Sequence, residues 1–375
     1  MNPSIPVPKE KPFPPQYYQD YLALEKILDS QNLISDKFDE HAHDEMLFII
    51  IHQIYELWFK QILYELDDLL NIFGEREINE SHVGTAVTRL DRIIEIQKII
   101  IDQVRVLETM TPMDFLDFRD FLIPASGFQS VQFRLIENKL GLLPSQRFTY
   151  GKSHYRSYLN EPDNQSVKDS EDEKSLFYLL QKWLERTPFL SWGETSFWDE
   201  YELAVKTMLN SDRHLIETND NLSDEEKQKH LSEYNKTEVS FGVVLDENQH
   251  NDMMTKGQWR LSHKATQAAL LILLYRDQPI LHNPYQLLTK LADVDELFTT
   301  WRYRHALMVS RMIGTKIGTG GSTGSTYLNQ TAEKHRIFSD ISALTTFLIP
   351  RSSLPDLPAK VRNDLGFYFH VKDGK

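Results

Sequence analysis

Between His41 and Leu70 the chain reads HAHDEMLFIIIHQIYELWFKQILYELDDLL. Ile54, Leu57, Trp58, Ile62, Leu66 and Leu69 recur at helical spacing, which predicts a helix with one buried face. From Met46 to Ile51 the pattern is apolar on every side, so this stretch is expected to be buried all round. Asp44 is placed to cap the first turn, and Glu45 suits the positive end of the helix dipole. His52 falls where burial should be deepest, one turn after Phe48 and one turn before Glu56. A buried imidazole without a polar partner costs about 1–3 kcal/mol. That partner is either a structural hydrogen bond or a ligand.

The rest of the pattern is also helical. Residues 1–16 form a proline-rich arm, and Tyr18, Tyr21, Leu22, Leu24 and Leu28 then predict a short amphipathic helix over Tyr17–Asp29. Such an arm can pack on a neighbouring subunit or fold back on its own chain. A second long helix starts near Ile78–Ser81, runs through Ile93 and Ile100 towards Leu107, and stops at Thr111-Pro112. Met113–Leu142 is interrupted by a turn at Pro124–Gly127 and resumes as a helix over Phe128–Leu140. Residues 145–175 are polar and read as a solvated loop. Helices are expected at Lys174–Arg186, Ser196–Leu209 and Leu261–Tyr275, with a surface helix or hairpin over Ser211–Lys236. Asp293–Ile313 carries the stripe Val294, Leu297, Phe298, Trp301, Met308 and Met312, with His305 on it. No alternating strand pattern stands out. The expected fold is all-α, one helical domain over 17–375 with polar excursions at 145–175 and 210–260.

Composition narrows the function. A net charge of −14 argues against nucleic acid or an anionic membrane as the main partner. No run approaches the ~18 consecutive apolar residues of a membrane span. The start of the chain lacks a signal-peptide pattern, so the expectation is a soluble, cytoplasmic protein. With no cysteine present, a metal would have to be held by histidine, carboxylate or a cofactor.

His305 between Trp301 and Met308 has the setting of a haem iron ligand, with large side chains to cover the porphyrin and Arg302, Arg304 and Arg311 near enough for propionates. A core histidine with solvated arginines fits the same pattern. The loop Gly314–Thr326 is neither a P-loop nor a dinucleotide fingerprint, but its glycines permit close backbone approach to a ligand. Phe115, Arg119 and Leu122 share a helical face just before Ser126-Gly127, where an arginine can clamp a carboxylate or make a structural ion pair. His41, His43, Asp44 and Glu45 resemble a metal cluster in composition only, and read as residues at a helix start.

Three blocks, HDEMLFIIIHQIYELWFKQILYELD, FRDFLIPASGFQSVQFRLIENKLG and WRYRHALMVSRMIGTKIGTGGSTG, resemble in order the signatures of the tryptophan 2,3-dioxygenase family. The resemblance runs from about Tyr17 to the region of Pro350. It implies a haem b enzyme that uses O2 to cleave the indole C2–C3 bond of L-tryptophan, giving N-formylkynurenine. His305 then matches the axial haem ligand, His52 the histidine that meets the indole N–H, and Phe48 the aromatic wall beside it. Arg119 matches the carboxylate clamp, and Thr319 the threonine at the ammonium and carboxylate end. Phe115, Leu122, Ser126 and Gly127 match the surrounding pocket. Tyr18 and Tyr21 match tyrosines lent to a neighbouring subunit in a homotetramer. Relatives of the same haem fold that hydroxylate indoles or phenols leave a monooxygenase as the alternative, with a non-catalytic haem or tryptophan sensor beside it.

Overall fold

The computed structural model describes residues 14–147, 155–187, 191–192, 195–319 and 325–366. Most of the proline-rich arm and Gly320, Gly321 and Gly324 of the glycine loop therefore lie outside the described residues. Within them the fold is all-α, apart from a short antiparallel ribbon that pairs Ser191 with Ser196 and Trp192 with Thr195.

In chain order, α1 (Tyr18–Leu22) and α2 (Leu24–Leu28) precede the long α3 (Glu45–Gly74) and α4 (Glu80–Leu107). Then come α5 (Pro112–Arg119), α6 (Val131–Leu140), α7 (Glu161–Asp172) and α8 (Leu176–Leu184). A helical hairpin of α9 (Phe197–Glu217) and α10 (Asp224–Leu245) leads to α11 (Glu247–Thr255), α12 (His263–Leu274) and α13 (His282–Ile313). The chain closes with α14 (Ser325–Lys334), α15 (Ser339–Ala343) and α16 (Ala359–Leu365). The helix α4 packs against both α3 and α13, while α6 and α8 lie on α3. Their seam is fully buried: Ile62, Leu66 and Leu69 of α3, Leu90, Ile93 and Ile100 of α4, and Leu288 of α13.

Polar locks fix the helices in register. Gln97 donates to the Val294 carbonyl at 2.9 Å, tying α4 to α13. The Asp295 carboxylate accepts from the backbone N–H groups of Ile337 at 2.8 Å and Phe338 at 3.3 Å. Each bond satisfies a buried polar group that would otherwise cost free energy.

Several expectations change. Met46 and Ile50 are exposed, and with Leu57 and Tyr64 they make an outer apolar stripe along α3, so its first turns are not buried all round. By length and composition α3 could also cross a membrane, with a mean hydropathy of 1.2 over its most apolar window. Asp44 makes no side-chain cap. Instead Glu45 turns back to accept from the N–H groups of Ile34 at 2.8 Å and Ser35 at 3.0 Å. The Tyr17–Asp29 helix is broken in two at Ala23, whose φ of 51° is left-handed. The 145–175 excursion is not simply a solvated loop. Asn160 caps α7, whose Val167 and Ser170 are buried and meet Asn138 of α6. Finally, α13 begins eleven residues before the expected Asp293, because Pro284 sits in its first turn, where no N–H is needed.

Gly141 ends α6 with φ +117°, and a Cβ there would lie 2.7 Å from the Phe177 Cβ. Left-handed strain of about 1–2 kcal/mol adds to overpacking of about 1–3 kcal/mol. Gly141→Ala should therefore lower stability by at least about 2 kcal/mol in urea unfolding, and an unchanged midpoint would refute this account.

Candidate functional site

Faces of α3, α5, α6 and α13 converge on one cleft, which with its mouth holds about 1700 Å³ of space free of protein atoms. Its walls carry several aromatic side chains, among them Phe48, Tyr55, Phe59, Phe115, Phe133 and Trp301. The 3.6-residue period places Phe48, His52, Tyr55, Glu56 and Phe59 on one face of α3, and Trp301, Arg302, His305, Met308 and Met312 on one face of α13.

His52 and His305 both line this cleft. His305 is stacked on Trp301, with ring centroids 5.6 Å apart. Neither of its ring nitrogens has a hydrogen-bond partner among the described residues, so its lone pair is free to ligate a metal or a metal-bearing group. Burial, aided by the nearby His52, lowers its pKa to about 4. His52 is reached from the cleft rather than packed in the core, which corrects the expectation of deepest burial. Its Nδ1 lies 2.7 Å from the Phe48 carbonyl, and its ring is 4.1 Å from that of Phe48. Burial lowers its pKa as well, against the opposing effects of that hydrogen bond and of Glu56. A carbonyl can only accept, so Nδ1 carries the proton and, in the neutral ring, Nε2 is an acceptor. Glu56 is held in place by Gln132, which donates to its carboxylate at 2.8 Å.

At the last turn of α5, Phe115 and Arg119 face the cleft. Arg119 donates through Nη2 to the Ile317 carbonyl at 2.5 Å and through Nη1 to Asp120 at 3.1 Å, while its buried Nε has no partner. Thr319 and Gly318 lie on the cleft beside it. Ser126 caps a short 3₁₀ turn and lines the cleft together with Gly127. Leu122 does not line it. The chain tightens to a 3₁₀ turn at Asp120–Leu122, and Leu122 packs instead on a small apolar cluster with Phe118 and Met312. Tyr18 and Tyr21 stand 72% and 74% exposed, away from this chain's own cleft.

The polar end of the cleft leaves little trace in the sequence. Glu137 of α6 accepts from Arg134 at 3.0 Å, Arg147 at 2.5 Å and Arg302 at 3.0 Å, with His335 Nδ1 3.3 Å away. Burial would raise the Glu137 carboxyl, but Arg147 and Arg134 hold it well below the usual carboxylate range. The one available signal was the three-residue spacing of Arg134 and Glu137, which puts both on one helix face. Nothing in the sequence pointed to His335. Of the arginines near His305, Arg302 belongs to this cluster, Arg304 pairs with Glu108 at 2.9 Å and Arg311 is exposed. Among the described residues no three His, Asp or Glu side chains converge as a metal site, and His41 bonds Asp36.

With its pKa near 4, His305 stays neutral from pH 8 down to pH 5. The unfolded imidazole titrates near 6.5, so as pH falls from 6.5 through 4 the unfolded chain takes up the proton first and stability drops. A ring-nitrogen NMR titration should show no His305 imidazolium at pH 6, and a midpoint near 6.5 would contradict this.

The chain matches the family model described as tryptophan 2,3-dioxygenase over residues 10–348. It is 50% identical over 357 residues to a tryptophan 2,3-dioxygenase of Bdellovibrio bacteriovorus, covering 95% of this chain and 99% of that one. A tryptophan 2,3-dioxygenase of Dictyostelium discoideum is 47% identical, with 95% and 89% covered. One of Xenopus tropicalis is 45% identical, with 93% and 86% covered. Over almost its whole length, then, the chain belongs to the tryptophan 2,3-dioxygenase family.

Proposed function

We propose that this protein is a haem-dependent dioxygenase that opens the indole ring of L-tryptophan at C2–C3 with O2, giving N-formylkynurenine. The observation that carries the reading is the pairing of two neutral imidazoles, His52 and His305, in one aromatic cleft with Arg119 also on its lining.

The residues present fit a haem. His305 offers an unprotonated, unpartnered ring nitrogen, and Trp301 and Phe133 supply flat apolar surface beside it. When bound, ferrous haem would supply the binding and activation of O2. The chain's own residues then do the positioning. His52 Nε2 accepts the indole N–H, since its Nδ1 proton is committed to the Phe48 carbonyl. Phe48 and Phe115 wall the indole, their rings 5.9 Å apart. Arg119 trades the Ile317 carbonyl for the substrate carboxylate, and the Thr319 hydroxyl serves the amino-acid end. Fixing both ends of tryptophan holds the ring at one angle, which is the main demand on the protein.

The same reading makes the protein a cytoplasmic homotetramer. The outward Tyr18 and Tyr21 and the exposed stripe of Met46, Ile50, Leu57 and Tyr64 support a neighbouring copy on this side.

The protein loaded with haem, reduced and given L-tryptophan and O2 should yield a product heavier by both oxygen atoms. A product with one added oxygen would mark a monooxygenase, and no product beside a normal haem spectrum a sensor. Arg119→Ala should weaken L-tryptophan binding by roughly tenfold to a hundredfold, the worth of a charge-assisted hydrogen bond. Tryptamine, which lacks the carboxylate, should bind much as before; equal losses for both ligands would reject the clamp.

A further inference from the structure

We propose that Glu56 is a positioning residue for the reaction: acting through His52, its carboxylate favours the positive charge that develops on the indole nitrogen as oxygen adds to the ring. The inference rests on the dioxygenase reading above and deepens it.

Two carboxylates line the cleft, Glu56 and Glu137, and their surroundings differ. Glu137 is met by three arginines. Among the described residues Glu56 forms no ion pair, and its side-chain partner is the neutral amide of Gln132. That amide Nε2 donates at 2.8 Å to the Glu56 carboxylate and at 2.8 Å to the Glu56 backbone carbonyl. The bridge fixes the carboxylate in place without neutralising it. Its side chain is half-buried, so water and salt screen it less than a surface charge.

The four-residue spacing puts Glu56 one turn beyond His52 on the cleft face of α3. Its charge acts on that ring, opposing the burial that favours the neutral imidazole. The other titratable groups of the cleft do not take its place. Arg119 on α5 is a cation, His305 on α13 is kept neutral by burial, and the Glu137 carboxylate is engaged by arginines. Tyr55, on α3 itself, is pushed up to about 12 by burial and is uncharged at neutral pH.

The indole needs such a charge only while it reacts. When oxygen bonds to C3, the C2–C3 π pair forms the new bond and the ring is oxidised as the oxygen is reduced. The N1 lone pair moves into an N1–C2 double bond, so N1 becomes positive and its N–H more acidic. The proton is then drawn towards His52 Nε2, whose own Nδ1 proton stays on the Phe48 carbonyl. Positive charge thereby spreads onto the imidazole, where Glu56 stabilises it. In bound tryptophan the indole is neutral and gains little from the carboxylate. An interaction that strengthens only in the transition state raises kcat and leaves KM almost unchanged.

Glu56→Gln removes the charge and keeps an oxygen that can accept from Gln132. In the haem-loaded protein it should lower kcat for L-tryptophan about tenfold, equal to about 1.4 kcal/mol, and leave KM within about twofold. In the full chain without substrate, a ring-nitrogen NMR titration should place the His52 midpoint lower in the variant than in the intact protein. An unchanged kcat, a loss confined to KM or an unmoved His52 midpoint would each overturn the proposal. If the variant does not fold, the intact enzyme still decides. There 5-fluorotryptophan, whose substituent opposes positive charge on the ring, should turn over more slowly than 5-methyltryptophan, and an equal or reversed order would overturn the proposal. Failure of the intact protein to convert L-tryptophan would instead overturn the dioxygenase reading itself.

Discussion

A side chain can be aimed into a cleft only if the helix that carries it cannot turn about its axis. In α13 one residue corresponds to roughly 100° of rotation, so a slip of one position would replace His305 with Arg304 or Ala306. Three neighbours prevent it. Gln97 of α4 holds the Val294 carbonyl, the C-terminal segment holds Asp295 through the N–H groups of Ile337 and Phe338, and Glu137 of α6 holds Arg302. These contacts come from separate parts of the chain, so the orientation of His305 depends on the whole fold being assembled.

The cleft is divided electrically. Around His52 and His305 it is apolar, and the burial that surrounds both rings keeps them uncharged. Around Glu137 it is crowded with guanidinium groups. Buried ion pairs of this kind add little net stability compared with well-packed apolar residues, yet breaking one commonly costs about 3–5 kcal/mol. Their value is geometric: Arg302 links α13 to α6, and Arg147 links α6 to the segment that follows it.

Much of this was legible in the sequence, and the misses share physical causes. Long helices declared themselves through period, as in α3, α4 and the later part of α13. The helix α7 did not, since only Val167 and Ser170 of its residues are buried and its signal lay in Asn160 and Pro162 at its start. The apolar run over Met46–Ile51 predicts burial on every side, because hydrophobicity reports a preference for leaving water, not which partner removes it. Of the candidate site residues, His52, His305, Phe48, Phe115, Arg119, Ser126, Gly127 and Thr319 line one cleft. A change of helical pitch turns Leu122 off that cleft, and Tyr18 and Tyr21 face outward. The Glu137 cluster was invisible because charged residues read as surface until their partners are known.

The outer stripe of α3 bears on what stability means for this protein. Met46, Ile50, Leu57 and Tyr64 leave apolar area in water when the chain is alone, on the same helix whose other faces form the core seam and the cleft wall. The proposed neighbouring copy, if it covers the stripe, would bind only the folded chain, and by mass action it would add to folding free energy in proportion to the logarithm of its concentration. Resistance to heat or urea would then be a property of a solution at a stated protein concentration. Dilution would then lower the stability of the fold that holds His52 with no change in any residue of the cleft.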